Sequence, residues 1–315
     1  MIDRLRNRRQ FLGVFAGISL GTLGVQTLGL AQSVIRSAGA EKPRSKMPPN
    51  ATDCHHHIYD SRYPYAAQAT LRPSDALVSD YKQLQARLGT SRNVIVQPSS
   101  YGTDNRLLLE AITQFNGKAR GVAVVTPEVS DFQLKQLHEG SVRGIRFNLA
   151  QGGTTTLEMV KPLASRVAPM GWHIQVNAPA DVLLGAKELW DALPCPVVFD
   201  HLAHVPEPNA LQSPVFTMIS RLLQEKKAWV KLSGFYMDSK VGQPTYADSV
   251  LVARAYAEAA PDRVVWGSDW PHPTEKADNL PDDAILLDLL SECVRDETGR
   301  NRVLVDNATR LYQFS

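Results

Sequence analysis

From residue 51 to the C-terminus, short apolar runs alternate with longer amphipathic ones. The short runs occupy 51–58, 93–97, 121–125, 144–147, 172–176, 197–200, 229–232 and 263–267. Most are nearly continuous in apolar residues, as expected of strands covered on both faces. Between them, 74–88, 103–115, 130–139, 157–168, 181–191, 213–225, 246–259 and 282–293 read as helices. Several of these open with Ser, Thr or Asp, whose side chains accept hydrogen bonds from the free N–H groups of a first turn. In 103–115, Leu107, Leu108, Ala111 and Ile112 fall on one stripe. Eight strands alternating with eight helices predict an α/β protein, a (β/α)8 TIM barrel over 51–315, close to the usual length of about 250 residues. A doubly wound open sheet is the alternative, but no Gly-rich phosphate loop follows the first strand. The stretch 301–314 predicts a closing helix, with Leu304, Ala308 and Leu311 on one stripe.

The N-terminus follows another pattern. Arg4, Arg6, Arg8 and Arg9 precede an apolar stretch interrupted by Gly13, Gly17, Gly21, Gly24 and Gly29. The order is that of an export signal: charged start, mildly apolar middle, small residues at the end. Asn7-Arg8-Arg9-Gln10-Phe11-Leu12 resembles the twin-arginine motif, so 1–31 is expected to engage the twin-arginine export machinery and send the protein to the periplasm or outside the cell. No stable membrane span is expected after cleavage. Residues 32–50, with Gly39, Pro43, Pro48 and Pro49, predict a flexible leader.

Charge and cysteine count narrow the function. A net charge of +2, with scattered basic residues, gives no footprint for nucleic acid. Cys54, Cys195 and Cys293 are an odd, widely spaced set that suits neither a disulfide framework nor a zinc finger. The expected partner is a small molecule.

In a barrel, the C-terminal ends of the strands build the site. Here those ends carry His55 and His57, then Gln97 to Asn105, then Arg146 and Asn148, Asn177, Asp200 and His201, Lys231 to Gly234, and Ser268-Asp269-Trp270-Pro271-His272. On a regular first strand, alternation turns Asp53, His55 and His57 one way and Cys54, His56 and Ile58 the other. That sets Cys54 aside as a nucleophile. Two imidazoles at one strand end can bind a metal or hold a polarised carbonyl. Ser99, Tyr101, Tyr236 and His272 lie on rim loops within reach of a substrate. His173 reads as a bottom-face residue, and His138 and His204 as surface or loop residues.

Five motifs in order, Asp-Cys-His-His-His, Val-Ile-Val-Gln-Pro-Ser-Ser-Tyr-Gly-Thr-Asp-Asn, Arg-Gly-Ile-Arg-Phe-Asn, Val-Val-Phe-Asp-His and Val-Val-Trp-Gly-Ser-Asp-Trp-Pro-His-Pro, resemble the amidohydrolase superfamily. Within it they resemble the branch containing 2-pyrone-4,6-dicarboxylate lactonase. The resemblance implies a hydrolase that opens a lactone or related cyclic ester. His55, His57, His201 and Asp269 would be catalytic, with Asp269 taking a proton from water. Arg146 would bind a substrate carboxylate, with Asn148, Asn177, Tyr101, Ser99 and His272 around the substrate. The branch carries a second basic residue soon after that arginine; here Leu149-Ala150-Gln151-Gly152 has no charge, which points to a monocarboxylate or neutral lactone. Metal-dependent relatives add a His at the fifth strand end, where this chain has Asn177. No cofactor is therefore expected. The alternatives are one zinc or manganese ion on His55, His57 and Asp269, serving a decarboxylase or hydrolase, and a periplasmic binding protein without catalysis.

Overall fold

The computed structural model describes residues 33–151 and 153–315. The export signal expected over 1–31 lies outside the described residues. Among the described residues, no helix is long and apolar enough to cross a membrane.

The strands are β1 (Thr52–His56), β2 (Arg92–Val96), β3 (Ala119–Ala123), β4 (Val142–Asn148), β5 (His173–Asn177), β6 (Val197–Phe199), β7 (Ala228–Leu232) and β8 (Val264–Trp266). They pair in parallel and in sequence order. The helices that cover them are α1 (Val78–Leu88), α2 (Arg106–Thr113), α3 (Asp131–Glu139), α4 (Val160–Val167), α5 (Ala180–Gly185), α6 (Lys187–Ala192), α7 (Pro214–Gln224), α8 (Phe235–Asp238), α9 (Ala247–Ala259), α10 (Asp283–Cys293), α11 (Glu297–Asn301) and α12 (Asn307–Tyr312). The architecture is the expected (β/α)8 barrel.

Several helices differ from the sequence reading, the closing 301–314 stretch among them, which divides between the end of α11, a π-helical turn and α12. The 181–191 segment breaks into α5 and α6 at Ala186, and α1 starts at Val78 because the Asp80 carboxylate accepts from the Leu77 N–H, 2.8 Å away, and caps the helix there.

The seam between β1 and the end of β8 matters most for function. There Asp269 N–H donates to His55 O and His57 N–H to Trp270 O, both at 2.8 Å. Gly267 permits this approach, since a Cβ there would stand 2.7 Å from the His55 Cβ.

Strand alternation sorts the barrel interior into layers. Val94, Val96, Val122, Val198 and Val265 form the lower layer, closed from below by Leu311, Tyr312 and Phe314 of the C-terminal segment. Each such buried side chain contributes about 1.5–3 kcal/mol relative to exposure. Above them the same parity brings Arg146, Gln175, Asp200 and Lys231 inward, all buried. The charged groups gather above this plug, while His173 sits buried beside Tyr312 at its level.

Residues 33–50, expected to be a flexible leader, are a strap packed along the barrel. The Arg87 guanidinium donates to Glu41 O at 2.8 Å and Ala38 O at 2.9 Å; Arg44 pairs with Asp288 at 3.1 Å. The Trp270 indole N–H donates to Ile35 O at 2.9 Å. No apolar period marks this stretch in the sequence, because polar side chains of α1 and α10 tether its backbone. Deleting residues 1–49 should lower the Tm by roughly 5–10 °C relative to deleting 1–32, since about two or three charge-assisted bonds are lost. Thermal denaturation of the two forms decides it, and equal midpoints would mean the strap adds nothing.

Candidate active site

The site starts from an irregularity in β1. Pairing with β2 shifts register between Asp53 and His56. The bulge turns both Cys54 and His55 inward. Simple alternation, which placed Asp53 with His55 and His57 and set Cys54 against them, fails here for that reason. Cys54 joins the apolar lower layer, where burial pushes its thiol above its usual range. Asp53 faces outward and fastens the seam. Its carboxylate accepts from the backbone N–H groups of His55 and Ser268, each at 3.0 Å, and from the hydroxyls of Ser268 (2.6 Å) and Tyr81 (3.0 Å). Burial raises its pKa to about 6 against those bonds. His56 also faces out, stacked on the Tyr81 ring at 3.5 Å between centroids.

His55, His57, His201 and Asp269 meet at the mouth, each at most 3% exposed. Asp269 Oδ1 lies 3.4 Å from His55 Nε2, 3.5 Å from His57 Nε2 and 3.8 Å from His201 Nε2. Its Oδ2 accepts the Tyr236 hydroxyl at 2.6 Å. Burial alone would raise the Asp269 pKa; the surrounding His201, His57 and His55 instead hold it well below the ordinary carboxylate range. Burial pushes His55 far down and His201 to about 4, so both are neutral near pH 7. His201 begins a left-handed run, with φ of 48°, 54°, 59° and 47° at residues 201–204. Four such L-residues in a row cost about 1–2 kcal/mol each, strain of the kind that collects at functional sites. Gly234 lets this run pack closely, as a Cβ there would stand 2.9 Å from His201 Nδ1.

Beneath the histidines sits a charged layer. Lys231 Nζ donates to Gln175 Oε1 at 2.8 Å and to His55 Nδ1 at 3.2 Å, and lies 3.6 Å from Asp200 Oδ1. Asp200 Oδ2 also accepts from Arg146 Nε and Gln175 Nε2, both at 3.2 Å. Burial lowers the Lys231 pKa only to about 8, so the ammonium persists at neutral pH. Proton counting then fixes the imidazoles above it. His55 Nδ1 faces both Lys231 Nζ and Asp200 Oδ1, the latter at 3.3 Å; accepting from the ammonium, which only donates, puts its proton on Nε2. His57 Nδ1 donates to Val96 O at 2.8 Å, and its Nε2 faces His55 Nε2 at 3.3 Å and Asp269 Oδ1 at 3.5 Å.

The chain belongs to the amidohydrolase family.

The family match spans residues 52–314. The 2-pyrone-4,6-dicarboxylate hydrolase of Comamonas testosteroni is 37% identical over 87% of this chain and 94% of its own length. The 4-sulfomuconolactone hydrolase of Hydrogenophaga intermedia is 30% identical over 85% and 90%. Among solved structures, a probable 2-pyrone-4,6-dicarboxylic acid hydrolase from Acinetobacter baumannii with citric acid bound superposes with a TM-score of 0.73 at 26% identity, covering 84% of this chain and 100% of that one.

Many amidohydrolases hold a metal, and two groups here have the spacing for one: His55, His57 and Asp269, and His55, Asp200 and His201. Neighbouring ligands of a tetrahedral ion stand roughly 3.4 Å apart, close to the distances above. His57 and Asp269 suit an ion. His55 does not, because the Lys231 bond leaves a proton on the nitrogen that would ligate.

The other expected contacts divide. Arg146 Nε is spent on Asp200, while its two terminal amines hydrogen-bond to no protein atom among the described residues. Ser99, Asn148 and Asn177 form a chain at the rim: Asn148 Nδ2 donates to Ser99 Oγ (3.2 Å), and Asn177 Nδ2 to Asn148 Oδ1 (3.1 Å). His204, read as a loop residue, extends that chain by 2.8 Å contact with Asn177 Oδ1 and 2.9 Å contact with Asp238. Tyr101 and His272 have their polar atoms engaged by protein, at Asp60 and at Tyr236 and Asp283.

Lys231 was named at its strand end but given no role, and Gln175 was not named. The available signal was a lone lysine in the apolar run Trp229-Val230-Lys231-Leu232, at inward parity with the strand end.

Proposed function

We propose that the protein hydrolyses a lactone of a small carboxylic acid, with Asp269 as general base and no metal. The observation that carries this reading is the Asp269 carboxylate itself, pinned at Oδ2 by Tyr236 and turned with Oδ1 toward three imidazoles. The lactone hydrolases among the relatives support the substrate class.

In this reading a water at the mouth donates to Asp269 Oδ1, beside His57 Nε2. Asp269 takes its proton as the water oxygen bonds to the ring carbonyl carbon. The carbonyl oxygen becomes an oxyanion held by His55 Nε2–H and by His201, whose Nδ1 is engaged by Ser233 Oγ at 3.1 Å. The ring C–O bond then breaks, and its oxygen takes the proton back from Asp269. The base is effective through position and exclusion of water, since a carboxylate is weakly basic.

The free amines of Arg146 suit one substrate carboxylate. The facing wall of Ser99, Asn148, Asn177 and His204 is uncharged amide and hydroxyl, apart from His204 on Asp238. A second carboxylate would meet Asp238 there, so a monocarboxylate or hydroxylated neutral face fits. Arg146→Ala should raise KM roughly 10–100-fold for a carboxylated lactone, and far less for a neutral one. The test of the whole reading is a lactone panel with chelator-treated protein and elemental analysis. Turnover without metal supports it; activity that tracks stoichiometric zinc or manganese overturns the metal-free part. We further propose that 1–31, with Arg8-Arg9 and the apolar stretch after them, is a twin-arginine export signal that sends this hydrolase to the periplasm or outside the cell.

A further inference from the structure

Behind Asp269 runs a second chain of side chains, partly buried at Tyr236 and buried at His272 and Asp283. Tyr236 on α8 donates its only proton to Asp269 Oδ2. Its oxygen is then an acceptor, so the contact with His272 Nδ1, at 3.0 Å, requires a proton on Nδ1. The other ring nitrogen, Nε2, lies 3.2 Å from Asp283 Oδ2, and both side chains have no exposure. A bare Nε2 facing an ionised carboxylate would set two acceptors against each other in a buried place, at the full cost of unsatisfied groups. A proton must lie between them. Asp283 opens α10, an eleven-residue helix, where the N-terminal dipole stabilises a carboxylate. Asp283 Oδ1 has no other partner among the described residues, so the His272 contact is its only side-chain bond. On the histidine, that proton leaves the carboxylate at the positive end of the helix dipole.

We propose that His272 is a permanent imidazolium, paired with Asp283, that acts as a positioning residue by fixing the Asp269 carboxylate through Tyr236. The role in turnover rests on Asp269 being the base; the charge state does not. Burial opposes a charged His272, but Asp283, Asp269 and Glu275 outweigh it and raise its pKa. Burial with the neighbouring Asp269 keeps the Tyr236 hydroxyl protonated. The backbone is shaped for the arrangement: Asp269 and His272 both take left-handed φ, 63° and 54°, and His272 N–H donates to Asp269 O at 2.9 Å. The bent turn sends Asp269 into the site and His272 behind it.

The decisive experiment is nitrogen-15 NMR of the histidine side chains in the full-chain protein, with His272→Gln used for assignment. Protons on both His272 nitrogens near neutral pH are expected. A neutral ring overturns the proposal, whatever the enzyme's substrate. For the positioning role, Tyr236→Phe and His272→Gln should each cut kcat roughly 10–100-fold with KM changed less than about threefold. Each should also move the acid limb of the kcat profile upward by about one pH unit, because Asp269 loses its donor. The double variant should be no slower than the worse single one. Additive losses with an unmoved acid limb would reduce both residues to packing.

Discussion

Asp269→Asn should lower kcat on the order of 10³-fold or more, with a Tm close to that of the native protein. The amide has the shape of the carboxylate and can still accept from Tyr236 at Oδ1, so the outer bond survives. What is lost is the carboxylate that takes a proton from water beside His55 and His201, both neutral near pH 7. KM should change little, since Arg146 and the amide wall carry binding. The native enzyme's pH profile follows from the same cage. Asp269 is held well below the usual carboxylate value, so it remains a competent base as pH falls through about 4. The activity it supports is complete above its own pKa and disappears only below it. His201, neutral above about 4, becomes an imidazolium below that value. An acid limb near pH 6 would show that Asp269 is not the titrating base. So would an Asp269→Asn protein that kept a tenth of native turnover.

The parts of this cage were legible in the sequence to different depths. His55, His57, His201 and Asp269 follow from strand ends, because a parallel barrel puts all such ends on one rim. The apolar runs specify the barrel itself, since strands covered on both faces need continuous Val and Ile. The orientation within β1 was not legible. Alternation assumes a regular strand, and the bulge between Asp53 and His56 arises from the seam, where Asp53 must reach Ser268 more than two hundred residues along the chain. Lys231 was hidden for a related reason. Its partners His55, Gln175 and Asp200 come from three other strands, and no local pattern announces that a lone lysine has three acceptors waiting. His272 was legible as a residue near Asp269 but not as a bonded one, because Asp283 and Tyr236 approach it from helices on either side. The strap over 33–50 carries no apolar period, so its order is invisible without Arg87 and Asp288.

Lys231→Met should be the most damaging substitution outside the mouth. Around it the native layer balances: the cations of Lys231 and Arg146 face the carboxylates of Asp200 and Asp269, all buried. Asp200, held far below its usual pKa by His55, Lys231 and Arg146 against its own burial, stays ionised when the lysine is gone. Leaving a buried carboxylate short of a partner costs about 3–5 kcal/mol, a Tm loss of roughly 10 °C for a chain of this size. Methionine fills most of the vacated volume, so charge rather than packing dominates. Catalysis should fall as well. Without the ammonium, His55 Nδ1 is free to carry the proton and turn it to Asp200 Oδ1, 3.3 Å away. His55 Nε2 then becomes an acceptor, and one oxyanion donor is lost, worth about 10²–10³ in kcat. The same switch makes His55 a competent ligand beside His57 and Asp269, in a layer now carrying one excess negative charge. The variant should therefore bind zinc more tightly than the native protein, a difference that calorimetric titration reads directly. Equal zinc affinity in the two proteins would mean that Lys231 does not set the His55 tautomer, and the metal-free reading would lose its physical basis.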